Sequence, residues 1–250
     1  GRPPDGVRHI LDVLVKQYES HGGQLRLKCG VQSIQVANGR VKSIVLDNGE
    51  VLGADNVISS AGYVETMRLL SDYEHARFNY DVGSLSFVEF IMVLDRELAE
   101  MGYNTTITFY NNSDKFSYEK PNKLVDISSG VICCPNNFQF EERLPEAIIR
   151  VTNMANFELW NSLDKDEYKA QKATWLETTL KEVVKFVPDF RKSIIYTDTF
   201  TPKTIYKYTG HLNGAVYGTP NKIKTGRTHL KNLFICGTDQ GFLGIVGAML

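Results

Sequence analysis

The sequence has no strong excess of charge of either sign and no long apolar run. It carries 28 Lys and Arg against 29 Asp and Glu, a net charge of -1, so no basic stripe is available to attract nucleic acid. Its apolar runs are too short to span a bilayer. With 42% hydrophobic residues over 250 positions, the chain has enough apolar side chains for a sizeable core. We therefore predict a globular protein that does not bind nucleic acid.

Cysteine is also scarce, and its spacing does not suggest a metal site. The four cysteines form neither a pattern of zinc ligands nor a dense, even disulfide framework. Adjacent cysteines bridge only with strain, so we expect Cys133 and Cys134 to pack rather than pair. These features predict free thiols, no bound metal and a reducing, intracellular location.

The two ends of the chain predict that it is an interior piece of a longer protein. It begins at Gly1 rather than at Met and enters a helix almost at once. A helix that opens near Gly244 has only about two turns before Leu250, short of the usual length. We expect this piece to be inactive on its own.

The first residues predict an amphipathic helix. Apolar residues recur at helical spacing from Val7 to Tyr18, Asp5 is a plausible N-cap, and Gly22 follows the end.

Short alternating runs then predict a β-meander. Asn38-Gly39 and Asn48-Gly49 are pairs that supply the positive φ angles of tight hairpin turns. The last run, 56–62, is apolar without alternation, which predicts a strand buried on both faces.

The composition changes near Leu70, where aromatic and β-branched residues become frequent and predict a second, sheet-rich domain. It contains one helix, with Asp164 and Glu167 at capping spacing and Pro188 after its end. We read the run 193–210 as strand. The buried stripe of the helix comprises Leu176, Leu180, Val183, Val184 and Val187.

These elements predict an α/β (α+β) fold in two parts. A partial layered domain with the β-meander would comprise residues 1–67 and 205–250, and residues 68–204 would form an inserted, sheet-rich substrate domain.

Glycines punctuate the end of the chain in a pattern that suits a ligand. Residues 233–236 predict a buried strand, Gly237 a tight turn after it, and Gly244 the start of a helix. Bare backbone and a helix N-terminus suit a flat or anionic ligand, and Asp239 can accept a hydrogen bond from its hydroxyl. A close-packed strand, turn and helix without a ligand is the alternative.

The order of these segments resembles the flavoprotein family of phytoene desaturases, carotenoid isomerases and retinol saturases, related more distantly to the amine oxidases. The resemblance spans nearly the whole chain and is most specific at its C-terminal motif. The matching stretches are the helix ending in Gly22-Gly23, "VQSI" (31–34), "ADNVISSAG" (54–62), "TPKTIYKYTG" (201–210) and "CGTDQGFLGIVGA" (236–248).

The resemblance implies a bound FAD. By position, the main chain at Val31 would touch adenine, Ala61 and Gly62 would pass beside the dinucleotide, and Asp239 would bond the ribityl-pyrophosphate region. The remaining predicted cofactor-binding residues, around the turn and the flavin, are Gly237, Gly244, Ile245, Val246 and Gly247.

The family's N-terminal dinucleotide-binding unit is missing, because no G-x-G-x-x-G occurs in the sequence. The function therefore belongs to a parent protein: an FAD-dependent oxidoreductase that desaturates, saturates or isomerises a long apolar polyene such as a carotenoid or retinoid. A non-catalytic binding module and an amine-oxidase-type flavoenzyme are the alternatives. A lipophilic substrate also predicts docking on a bilayer surface without spanning it.

No residue stands out as a catalytic acid or base, which fits a reaction in which the flavin accepts or donates the hydride. Glu89 lies on an otherwise apolar strand and is read as a paired or edge carboxylate, with a catalytic role as the alternative. Tyr208 and His211, in the segment that returns to the flavin, are candidate substrate-pocket residues.

Overall fold

The computed structural model of the chain describes residues 6–72, 81–140, 143–241 and 244–249, except for the side chains of residues 246, 248 and 249. The helices are α1 (Gly6–Ser20), α2 (Tyr63–Arg68), α3 (Phe157–Ser162), α4 (Lys165–Val183), α5 (Pro202–Thr209) and α6 (Gly244–Met249). The strands are β1 (Val31–Ala37), β2 (Arg40–Leu46), β3 (Val51–Gly53), β4 (Val57–Ser59), β5 (Ser86–Leu94), β6 (Ile107–Asn111), β7 (Val125–Cys133), β8 (Ala147–Ala155), β9 (Ile194–Phe200) and β10 (Leu233–Ile235).

The predicted sheet-rich region is a five-stranded antiparallel sheet in the order β6-β7-β8-β5-β9. Strand β5, which lies between β8 and β9, alternates strictly between buried and half-buried residues. Its buried face, which includes Phe90 and Met92, packs with Trp160 and with the predicted stripe of α4 in one core. The opposite face of β5 carries its half-buried residues, including Phe87 and Glu89.

Helix α4 begins as its sequence predicts, but it ends earlier than predicted, so Val184 and Val187 of the predicted stripe lie beyond its last residue. The Asp164 side chain accepts hydrogen bonds from the backbone N–H groups of Asp166 and Glu167, and the Glu167 side chain bonds back to the Asp164 N–H. The helix ends at Val183, ahead of Pro188.

The prediction of a continuous strand over 193–210 is wrong in its second half. The chain leaves β9 at Phe200 and turns into α5, with Pro202 in the first turn of the helix. Thr201 and Thr204 form a capping box there. Proline is favoured at a helix start because its missing N–H needs no partner there, and this signal overrides the β-branched composition.

The N-terminal helix forms as predicted, but the described part of the chain buries none of its residues. Its apolar residues Val7, Leu11 and Tyr18 are more than half exposed. Gly22 follows the helix with a φ of 85°, while the predicted cap at residue 5 lies outside the described residues.

The predicted meander is a three-stranded antiparallel sheet, β1-β2-β3. Asn38 and Gly39 both take positive φ, as a two-residue hairpin turn requires. The second turn differs from its prediction, because only Gly49 of the Asn48-Gly49 pair has a positive φ. A three-residue loop, 47–49, closes that hairpin, with the Gly49 N–H bonded to the carbonyl of Leu46 at 2.8 Å.

The two predicted buried strands at opposite ends of the sequence, β4 and β10, pair in parallel. Asn232 ties them to the meander: its Oδ1 accepts the Val41 N–H at 2.8 Å, and its Nδ2 donates to the carbonyls of Val41 (3.0 Å) and Asp55 (2.8 Å). Leu233 is buried in a second core together with Met67 and Leu70. The prediction that β4 is buried on both faces is wrong, since Ile58 is 69% exposed and the described residues leave that face uncovered.

The mixed α/β fold class is confirmed by this combination of helices, an antiparallel sheet and a parallel strand pair. The predicted domain limits stay a prediction. The limit between residues 204 and 205 falls inside α5, which also contacts β5 and β9 of the five-stranded sheet.

Candidate functional site

Two strand-glycine-helix units lie side by side. In the first, β4 leads through Gly62 into α2, and in the second β10 leads into a 3-10 turn at Gly237–Asp239. Gly62 and Gly237 have φ values of 103° and 84°, which strongly favour glycine. Because the strands are parallel, both glycines lie at the carboxyl edge of the pair, where ligands bind in open α/β sheets.

Asp239 joins the two units through its carboxylate, which is buried. Its Oδ2 accepts the N–H of Tyr63 at 2.6 Å, and its Oδ1 accepts the N–H of Thr219 at 2.8 Å. A Cβ at Gly218 would lie 1.8 Å from Oδ1, so glycine is required at that position. The structure thus gives Asp239 a structural role that the sequence did not reveal, and its bond to FAD stays a prediction.

A histidine-carboxylate pair lies beside Asp239 in the same narrow crevice. His211 Nδ1 is 3.6 Å from Glu65 Oε1, which also accepts the Leu212 N–H at 2.8 Å. The close contact with the Glu65 carboxylate raises the pKa of His211 against the effect of burial, and the charge of Asp239 adds to the rise. Burial works to raise the pKa of the Glu65 carboxyl, but the contact with His211 and the hydrogen bond from the Leu212 N–H together hold it below its ordinary value.

The predicted helix at the glycine-rich end is α6, which contacts the Gly237–Asp239 turn. Gly244 is exposed with a φ of 82°, and a Cβ there would meet no described atom within 4 Å. Ile245 is 43% exposed and Gly247 is buried; residue 246 lies in the helix. Bare backbone therefore borders open space at Gly244, which is what a flat cofactor needs for close approach.

We call the cluster formed by Ala61, Gly62, Gly237, Asp239 and the start of α6 at Gly244 the glycine-rich cradle. The other predicted site residues lie on other elements of the fold. Val31 begins β1 of the meander and is 37% exposed. Tyr208 is 75% exposed near the end of α5, with Lys207 Nζ 5.6 Å from its ring centre. Ala61, Gly62, Gly237 and Asp239 are thus brought together, whereas Val31 and Tyr208 are not part of that cluster.

A large cavity covers the face of the five-stranded sheet that carries Phe87 and Glu89. Its volume is about 740 Å³, and aromatic and aliphatic side chains form most of its walls. Neither Tyr208 nor His211 lines it. The aromatic lining residues are Phe87, Phe109, Tyr110, Phe116, Tyr118, Phe200 and Tyr217.

One end of the cavity reaches the glycine-rich cradle. Phe87 and Tyr217 meet edge to face, with ring centres 5.6 Å apart. Tyr118 lies close to Tyr217, and partial burial together with this contact raises the Tyr118 pKa to about 12. The next residue, Gly218, is the glycine that lies against Asp239. The cavity and the cradle are therefore neighbours in space.

Glu89 lines the cavity and is paired, as the sequence predicts. Its Oε1 accepts a hydrogen bond from Arg150 Nε on the neighbouring strand, and this bond raises the pKa of the guanidinium. The catalytic alternative for Glu89 is not supported by any other contact.

Sequence reasoning missed the residues that hold the cradle together, among them Glu65, Thr219 and Lys222. Lys222 Nζ donates to the carbonyls of Tyr217 and Thr238, the latter at 2.9 Å. These contacts join segments that are up to 176 positions apart, such as Tyr63 and Asp239. Gly218, which precedes Thr219-Pro220, marks a turn in the sequence, but nothing local to it indicates which segment packs against that turn.

Comparison with known proteins places the chain near carotenoid-related enzymes, although no family model matches its sequence. It is 24% identical over 223 residues to a 4,4'-diaponeurosporene oxygenase of Staphylococcus aureus, covering 85% of this chain and 44% of that protein. It is 23% identical over 252 residues to the chloroplastic prolycopene isomerase of Daucus carota, covering 97% and 37%.

The fold is shared with a solved oxidoreductase from Methanosarcina mazei. The TM-score is 0.65 at 16% identity, covering 98% of this chain and 53% of that one. The chain thus spans less than half the length of the two sequence relatives and about half of the structural one.

Proposed function

We propose that this chain is part of an FAD-dependent oxidoreductase that acts on a long apolar polyene by desaturation, saturation or isomerisation. The observation that carries the proposal is the adjacency of an aromatic cavity and a glycine-rich cradle, joined at Tyr217 and Gly218. The 24% and 23% identities to a diaponeurosporene oxygenase and a prolycopene isomerase support a carotenoid-like substrate.

The cradle residues fit a flat dinucleotide. Gly237 and Gly244 present bare backbone, and no described atom lies closer than 3.9 Å to a Cβ built on either. The residues that would hold FAD are Ala61, Gly62, Gly237, Asp239 and the α6 backbone, with Val31 toward the adenine. When bound, FAD would supply the acceptance and donation of hydride.

The chain's own residues would position the substrate and exclude water. The cavity volume is within the range of small-molecule sites. Rings of Phe87, Tyr217 and Phe200 would hold a conjugated chain by apolar contact without fixing it through hydrogen bonds. Asp239 would keep the two glycine turns at a fixed spacing by binding Tyr63 N–H and Thr219 N–H.

The direct test uses the purified full-length protein. Its flavin absorbance is measured, and a carotenoid or retinoid is analysed by chromatography after incubation with the protein. We expect bound FAD and a product that differs by two hydrogens or by double-bond geometry. Thr152→Phe would place a bulky ring in the middle of the cavity wall and should strongly lower turnover while leaving flavin bound. The matched control is Thr197→Phe on the exposed edge strand of the same sheet, which should retain activity. Protein without flavin and without polyene turnover would overturn the proposal.

We also propose that the full protein takes its substrate from a membrane surface. No helix in the described part of the chain is long and apolar enough to cross a bilayer. Three aromatic side chains of the cavity wall, Phe109, Phe116 and Tyr118, are 79%, 63% and 51% exposed. Exposed apolar rings gain from burial at the boundary between lipid headgroups and acyl chains, so flotation with liposomes should depend on Phe109 and Phe116. Flotation that is unchanged in Phe109→Ser with Phe116→Ser would contradict this assignment.

A further inference from the structure

We infer that Glu89 is a specificity-determining residue that accepts a hydrogen bond from a terminal hydroxyl or ammonium group on an otherwise apolar substrate. The inference rests on the proposed function and concerns the same cavity. It comes from the position of one carboxylate in a row of paired residues, one from each strand of the sheet. This row is the last one along the strands that lines the cavity.

The strand register places Glu89 in a row that crosses the entire sheet. Every member of this row lines the cavity, and Glu89 is its single charged residue. In sheet order the row is Phe109, Val131, Thr152, Glu89 and Phe200.

The next row on the same face of the sheet, two residues further along the strands, lies beyond the cavity. None of its five side chains is part of the lining, and Arg150 belongs to this row. In sheet order it is Ile107, Cys133, Arg150, Ile91 and Asp198. Arg150 therefore reaches Glu89 from the part of the same sheet face that lies beyond the cavity, and Glu89 lines the cavity whereas Arg150 does not.

On the opposite side, the row of Phe87 leads to Tyr217 and the glycine cradle. Phe87 and Glu89 are two residues apart, or about 7 Å along the strand. A substrate that extends from the cradle across the aromatic walls would thus meet its first charged group at Glu89.

One oxygen of the Glu89 carboxylate is available to such a substrate. Oε1 accepts the Arg150 Nε–H, whereas the described residues supply no hydrogen bond to Oε2. The Glu89 side chain is 21% exposed. A carboxylate oxygen accepts hydrogen bonds and donates none when ionised, so it selects a donor and disfavours an anion or a bare methyl end.

The test compares four retinoids that differ only at the chain end: retinol (hydroxyl), retinylamine (ammonium), axerophthene (methyl) and retinoic acid (carboxylate). Affinities are measured on the purified full-length protein by fluorescence titration. We expect retinol or retinylamine to bind about tenfold more tightly than axerophthene, the size of one charge-assisted hydrogen bond. Retinoic acid should bind more weakly than axerophthene.

Variants at Glu89 distinguish recognition of the hydroxyl end from recognition of the ammonium end. Glu89→Gln keeps an acceptor oxygen and removes the charge, so it should retain a preference for retinol and lose one for retinylamine. Glu89→Leu should abolish both preferences while axerophthene binding is kept. Glu158→Gln is the matched control, because Glu158 is an exposed carboxylate paired with Lys120 away from the cavity, and it should change none of the four affinities.

The outcomes distinguish the two proposals. Equal affinity of the wild type for all four retinoids, or an unchanged preference in Glu89→Leu, would overturn the role of Glu89 and leave the polyene cavity intact. Failure of the wild type to bind any of them would overturn the proposed substrate class and, with it, this inference.

Discussion

The five-stranded sheet and the β4–β10 strand pair are held by different kinds of contact. The sheet buries one face of alternating side chains against α4, with Phe90, Met92 and Trp160 fully enclosed. The strand pair has three residues in each strand, and Ile58 is exposed on one face. Leu233 and Ile235 bury its other face in the second core, but the segments that flank the two strands are joined by polar groups, chiefly the side chains of Asn232 and Asp239.

This difference separates a region whose geometry follows from apolar burial from one whose geometry depends on a few buried hydrogen bonds. Apolar contacts are numerous and individually replaceable, whereas each hydrogen bond of Asp239 fixes one particular backbone segment. We therefore expect substitutions in the core of the sheet to lower the free energy of unfolding most. Substitutions around the strand pair should mainly change the geometry of the cradle. The predictions below test that division.

The largest expected effect is the loss of a core side chain from the sheet. Phe90→Ala should lower the free energy of unfolding by about 3–5 kcal/mol, because the ring is fully buried and leaves a cavity. Denaturant titration of the full-length protein measures it. The control is Phe109→Ala, whose ring is 79% exposed and whose removal should have little effect on stability. Similar losses in the two variants would contradict the role given to the sheet.

A smaller but still large effect is expected at Asp239. Asp239→Ala leaves the N–H groups of Tyr63 and Thr219 without their acceptor, at a cost of about 2–4 kcal/mol. The measurement is denaturant unfolding after removal of any flavin, so that cofactor binding does not contribute. Asp12→Ala on the exposed surface of α1 is the control. If flavin-free Asp239→Ala were as stable as Asp12→Ala, the carboxylate would not hold the turns together.

The smallest expected effect is a pH dependence from His211 and Glu65. The raised pKa of His211 gives stability that is fully present below its ordinary value of 6.5 and is lost as the pH rises through the raised value. The lowered pKa of Glu65 gives stability that is present above its ordinary value of 4.5 and is lost as the pH falls through the lowered value.

The pair should therefore stabilise most between pH 4.5 and 6.5. We expect wild type to exceed His211→Gln by up to about 1 kcal/mol in that window and by less at alkaline pH. Unfolding titrations at a series of pH values measure the difference, and Glu65→Gln should remove the same pH dependence. A difference that grows as the pH rises would show that the pair does not act in this way.

The same contrast explains what the sequence could predict. The apolar run that forms β5, the Asp164 cap and the Asn38-Gly39 turn are local signals, and the structure has all three elements. The parallel pairing of β4 and β10 also agrees with their apolar runs.

What could not be predicted depends on contacts between distant segments. The exposure of Ile58 depends on what packs against β4, which its own residues do not specify. The Asp239 carboxylate meets Tyr63 and Thr219 only after the two glycine turns have come together. The Glu89 row likewise requires the register of all five strands.

The central claim is that the glycine-rich turn lies against a flavin, and a matched pair of glycine variants tests it most directly. Gly244 and Gly49 have φ values of 82° and 84°, and a Cβ at either meets no described atom within 4 Å. Alanine should therefore impose a similar backbone strain of about 1–2 kcal/mol at both positions, without the added strain of a β-branched residue.

The measurement is the flavin-to-protein absorbance ratio of the purified full-length Gly244→Ala and Gly49→Ala variants, beside their thermal unfolding. We predict similar unfolding midpoints and a several-fold loss of flavin in Gly244→Ala alone; equal flavin content in the two variants would contradict the account.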